Sequence, residues 1–195
     1  MIGELVMELA AASTDVEGCL AAARRLDGRV YSDQRKGAEG LPFRALLTAV
    51  TDDLDAVAGV ADVGCYVVCR RQMKAGNSAV IALFPLLRRP DLSHRAADAH
   101  WRDVHAPLAL ENHGFMSSYA QLSVVHTISG LAFDGFALCG FDSVEDVRER
   151  FYSAPQSRDV IAADILKMAD IAHSPRRLIA TETNFATTRR IPDSA

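Results

Sequence analysis

Apolar positions along the chain recur in two rhythms that alternate. Ile2–Ala10 is an apolar run interrupted by Glu4 and Glu8, and it predicts a strand. Asp15 is placed to cap a helix reaching Leu26, with Val16, Leu20 and Ala23 on one side. A short strand, Arg29–Ser32, and a glycine- and proline-broken loop, Gly37–Pro42, follow. Phe43–Thr51 predicts a strand, Leu54–Val60 a short helix opened by Asp52-Asp53, and Gly64–Met73 another strand. The predicted order is β-α-β-β-α-β.

The same order then returns. Ala79–Leu87 is an apolar strand, and a helix capped by Asp91 or Ser93 runs to about His113, kinked or restarted at Pro107. Met116–Ile128 and Gly135–Asp142 are strands joined through Ser129–Asp134. Ser143, with Asp146 three residues on, caps a helix Val144–Tyr152. A second helical piece, Ser157–Ile171, precedes the last strand, Leu178–Phe185. This pattern predicts an α+β fold of two tandem ferredoxin-like repeats, each with one helix-covered sheet face and one apolar face that needs a partner. The division expected is 1–77 for a degenerate N-terminal repeat, 78–185 for the second, and 186–195 for a flexible tail. The halves share element order, not residues.

Bulk properties remove several function classes. Nearly half of the 195 residues are apolar and the net charge is −4, so a sizeable core is available and no basic face for nucleic acid is expected. The arginine pairs are scattered between elements and read as solvated ends. The N-terminus has no basic region before its apolar residues, and no run approaches the ~18 apolar residues of a membrane span. Neither a signal peptide nor a membrane partner is expected. Four cysteines suit a reducing cytosol; Cys65 and Cys69 in one strand read as free thiols rather than half a zinc site.

The chemistry concentrates at residues 94–126. His105 follows the only tryptophan, Trp101, by four residues, so the two share a helix face. A large indole packs inward, and an imidazole beside it is at least partly buried, hence neutral and able to act as a base. A core histidine bonded to a backbone carbonyl would have the same pattern. His100 lies five residues earlier, roughly 140° around an α-helix, so a helical metal pair is not expected. His94 and His113 sit at the ends of the segment and read as surface or capping residues. Tyr119 and Gln121 share a strand face, with His126 on the other parity. Asp134-Gly135 is a turn signal between Phe133 and Phe136, which, with Phe84, are core or pocket-wall aromatics. The chain has no phosphate loop, no G-x-S-x-G elbow and no H-E-x-x-H. Acid/base chemistry without cofactor or metal fits what remains.

The segment His100-Trp101-Arg102-x-x-His105-Ala106-Pro107-Leu108, then Tyr119-x-Gln121, then Ala132-Phe133-Asp134-Gly135-Phe136-Ala137 and Phe141-Asp142-Ser143, resembles the EthD family of the dimeric α+β barrel superfamily. The resemblance spans about Ser78 to Phe185. It implies a barrel in which two such sheets meet, commonly as a homodimer, although the N-terminal repeat would supply the second sheet within one chain. It implies a pocket histidine at His105, with Tyr119 lining the pocket and Asp134 orienting or charge-balancing a histidine. The expected function is a cofactor-independent lyase, dehydratase, cyclase or isomerase acting on a hydrophobic aromatic or polyketide-like molecule, in catabolism or secondary metabolism. His105, Tyr119, Asp134 and His100 form the catalytic set. Trp101, Phe84, Gln121, His126, Phe133 and Phe136 form the substrate wall. Two alternatives stand beside it: a non-catalytic carrier of such a compound, and a monooxygenase of the related barrels.

Overall fold

The computed structural model describes residues 5–33, 35 and 40–186. Its strands are β1 (Leu5–Ser13), β2 (Arg29–Asp33), β3 (Ala45–Ala49), β4 (Gly64–Lys74), β5 (Val80–Leu86), β6 (Met116–Gly130), β7 (Gly135–Phe141) and β8 (Leu178–Asn184). Its helices are α1 (Val16–Arg25), α2 (Leu54–Ala58), α3 (His94–His100), α4 (Ala106–Asn112), α5 (Val144–Glu149) and α6 (Pro155–Ile165), with a π-helical turn, Trp101–His105, between α3 and α4. The capping signals act as expected: Asp15 accepts from the Gly18 amide, Ser93 from Ala96 and Ser143 from Asp146. The expected strand over Ile2–Glu4, part of the Gly37–Pro42 loop and the tail past Ala186 lie outside the described residues.

The predicted fold class requires correction. The eight strands close into one antiparallel barrel, in the order β1-β3-β2-β8-β5-β7-β6-β4 and back to β1, rather than forming tandem ferredoxin-like repeats. Two seams close the ring: β4 pairs with β6, and β2 pairs with β8. A free four-stranded sheet leaves two rows of unpaired backbone groups at its edges, and ring closure removes them. Element order alone reveals local connections but not these edge-to-edge pairings.

Alternation along each strand sorts residues to the two sides of the wall. Inside are Ala10, Tyr31, Leu46, Tyr66, Leu83, Leu122, Phe136, Leu138 and Leu178, which pack with Phe43 and Phe133 into one core. Outside, helices cover two arcs. On one, Cys19, Ala22 and Ala23 of α1 pack against Ala11, Ala45 and Leu47. On the other, Trp101, Ala106, Ala109 and Ile161 pack toward Tyr119, Ala137 and Cys139. Among the described residues, no helix is long and apolar enough to cross a membrane.

Candidate active site

The second arc is where the helices stand off the wall. A cavity of about 410 Å3 lies between the outer face of β5, β6 and β7 and a cover made from α4, α6 and residues 171–177. Phe84, Leu86, Tyr119, Ala137 and Cys139 form its floor; Trp101, His105, Ala109, His113, Phe151 and Ile161 are among those closing it. The volume and the mostly apolar lining match what an organic ligand needs.

Pro107 is the local cause of the site's shape. It has no N–H to donate back along the helix and its ring crowds the carbonyl four residues earlier. Just before it the chain widens into the π-turn, in which the Ala106 amide reaches the Trp101 carbonyl. The wider turn carries His100 and His105 to one side, against the sequence expectation of separate faces. Both imidazoles meet the same carboxylate: His100 Nε2 is 3.0 Å from Asp164 Oδ1, and His105 Nδ1 is 3.0 Å from Asp164 Oδ2. Lys167 Nζ also approaches Oδ1, at 3.4 Å.

Asp164 is buried on α6. Burial by itself raises its carboxyl, but the hydrogen bonds from His105 and His100 outweigh this and hold it below the usual carboxylate range. An ionised Asp164 can only accept, so His105 donates from Nδ1 and its Nε2 carries the lone pair. His105 is 7 % exposed and lines the cavity. Burial pushes its pKa down, and the bond to Asp164 opposes that only in part. The result is a neutral, oriented base at neutral pH.

Tyr119 stands on the cavity floor. Its hydroxyl oxygen accepts from Trp101 Nε1 and from Gln121 Nε2, each at 3.1 Å. Gln121 Nε2 also reaches the Trp101 carbonyl at 3.1 Å, which ties strand to π-turn. Two donors into one hydroxyl leave its own proton for a third partner. Burial raises the Tyr119 pKa, so it remains protonated and a donor. Trp101 can lie this close to the sheet because Gly135 is beneath it; a Cβ there would meet the indole at 2.5 Å.

The sequence-chosen residues therefore divide. His105, Tyr119, Trp101 and Phe84 line the cavity; Gln121 and His100 buttress it. Phe133 and Phe136 face the barrel interior, where they stack edgewise with Phe43. His126 is exposed, near the far end of β6. Asp134 does hold a histidine, but it is His94, at 3.2 Å, together with Arg88 at 2.5 Å. Three positions at the cavity were not expected there: His113 was read as a surface or capping residue, and Asp164 and Arg177 were not singled out. His113 is buried in the cavity wall, its Nδ1 donating to the Phe151 carbonyl at 2.6 Å, and burial pushes its pKa down. Arg177 lies at the cavity rim. Asp164 was the legible one: it interrupts the apolar series Ile161, Ile165, Met168 at helical spacing, where only a paired carboxylate is tolerated.

Among the described residues, no cluster of three or more His, Cys, Asp or Glu could hold a metal ion. No curated protein matches the chain. Two solved structures resemble it at low identity. One is titled a "putative monooxygenase" from Lactobacillus acidophilus NCFM, 7 % identical over 94 % of this chain and 95 % of that one, with a TM-score of 0.48. The other is an anthrone oxidase-like protein, 10 % identical over 94 % of each chain, also with a TM-score of 0.48. The family match falls on the segment that builds the π-turn, Tyr119, Gln121 and Asp164: residues 89–172 are similar to the EthD domain.

Proposed function

We propose that the chain is an enzyme that moves a proton next to a carbonyl group of a hydrophobic aromatic or polyketide-like molecule. The observation that carries this reading is the His105–Asp164 pair facing an apolar cavity that also holds the Tyr119 hydroxyl. His105 Nε2 takes a proton from the carbon beside the carbonyl. The C–H electron pair moves into the carbon–carbon bond and the carbonyl electrons move to oxygen, where the Tyr119 proton stabilises the enolate. Asp164 compensates the imidazolium that forms. Return of the proton at a second carbon gives isomerisation; its delivery to a departing hydroxyl gives dehydration. None of these steps draws on a cofactor.

The test uses 2-tetralone, a small aromatic ketone, in deuterated water. Proton NMR should show enzyme-dependent exchange at the carbons flanking the carbonyl, and His105→Ala should slow it by roughly 10²–10⁴-fold, the usual size of a general-base contribution. Saturable binding without exchange, or full exchange in His105→Ala, would reassign the cavity to carriage of a compound. Oxygen uptake accompanying exchange would assign the same base to an oxygenase.

A further inference from the structure

We propose that the molecule held in this cavity is an acid, with a carboxylate or ionised phenol read by Arg177. The inference rests on the cavity being a ligand site, and adds the ligand's charge. Arg177 sits in the segment leading to β8, with its guanidinium carbon 5.7 Å from the centre of the Phe84 ring and 5.2 Å from that of Phe151. Both rings are cavity walls. Two more deeply buried arginines each meet a carboxylate, Arg70 with Glu8 and Arg71 with Asp98, and the partly buried Arg44 donates to the Asp33 and Arg35 carbonyls. Arg177 meets none among the described residues.

No anionic side chain is among the groups that act on Arg177 electrostatically. Those groups are the Tyr152 hydroxyl, the Cys139 thiol and a second cation, Arg35. Arg35 is itself engaged by Asp33. Burial makes the guanidinium less favourable than in water. A cation over two ring faces gains some attraction from them, but that does not replace an anion. The guanidinium fork matches a planar carboxylate through two parallel hydrogen bonds, and the flanking rings would cover a flat acid on its faces. The remainder of the lining is apolar, so the ligand would be acidic at one end and greasy over the rest.

Isothermal titration calorimetry with two probes of the same shape tests this. The probes are 2-naphthoate and the neutral 2-naphthamide. The wild-type chain should bind the acid at least tenfold more tightly, Arg177→Gln should bring the two affinities together, and Arg177→Lys should keep part of the preference. Thermal melting of both variants checks that they fold. Amide affinity equal to or above that of the acid, or a preference that survives in Arg177→Gln, overturns the acidic ligand and leaves the His105 reading standing. Failure of both probes to bind at millimolar concentration removes the cavity as a ligand site and this inference with it.

Discussion

The two helix-covered arcs of the barrel have the same order of strands and helices but opposite packing. Over β1, β2 and β3, helix α1 contributes Cys19, Ala22 and Ala23, and the wall answers with Ala11, Ala45 and Leu47. Small residues on both sides let helix and sheet close together. Over β5, β6 and β7, the wall carries Phe84 and Tyr119, and the cover is propped by Trp101, a π-turn and three aromatic neighbours, His113, Phe151 and Tyr152. That arc keeps a cavity and collects ionisable groups. All six histidines of the chain fall after residue 93; His105 and His113 line this space, and His100 shares Asp164 with His105. Topology builds a wall with two equivalent outer faces; side-chain size and one proline decide which face can hold a ligand.

The largest expected effect is chemical and confined to the open arc. Asp164→Asn should cut the rate of 2-tetralone exchange by roughly 10²-fold or more, as expected when a general base loses its orienting partner. Asp164 acts through His105, so KM should change far less than kcat. Removing the carboxylate also removes what holds the imidazolium, so the acid limb of the rate profile should move to lower pH. A profile that loses height without moving would mean that Asp164 only supports the fold.

Next in size is a pair of matched insertions. Ala23→Leu forces three more carbons into the closed arc and should cost about 1–3 kcal/mol, the usual range for overpacking. Ala109→Leu adds the same atoms to α4 where the side chain faces the cavity, and should cost less than about 1 kcal/mol. It should also abolish 2-naphthamide binding. Chemical denaturation of both variants reads the difference directly, and equal destabilisation would erase the contrast between the arcs.

The sequence revealed local structure and the site residues that lie on the Trp101–His105 turn and its neighbouring strands, and it failed where distant segments meet. Periodicity located every strand and most helix starts to within a few residues, because alternation and caps are local signals. Closure into a single barrel depends on the β4–β6 and β2–β8 seams, which no local pattern marks. His105 was legible through its spacing to Trp101 and through the His-Ala-Pro-Leu motif. His100 stood in the expected catalytic set but was placed on a different face from His105, because an α-helical angle was applied to residues that form a π-turn. The wall aromatics split by parity: Phe84 pairs with Ala137 and faces out, whereas Phe136 pairs with Pro85 and faces in. Asp134, expected beside the pocket histidine, instead contacts His94 at the start of α3 and lies outside the cavity lining.

The smallest effect distinguishes the arcs by pH alone. His105 and His113 both have folded-state pKa values below the ordinary 6.5, in each case because burial disfavours the imidazolium. In the unfolded chain both take up a proton near 6.5, so between that value and their lower folded values the unfolded state binds more protons. Their contribution is therefore complete above about pH 6.5 and is lost as pH falls through the folded values. Asp164, held below its ordinary 3.8, adds a further loss only at much lower pH. The closed arc has no histidine, so nothing there titrates between pH 8 and 5 by the same route. Amide hydrogen exchange should consequently accelerate in α4 and α6 as pH is lowered across this range, after correction for the intrinsic rate, while α1 follows only the global stability. His113→Gln should flatten the α4 and α6 response in part. Equal acceleration in α1 and α4 would show that acid loosens the barrel as a whole, and that the two faces do not differ in the way their side chains imply.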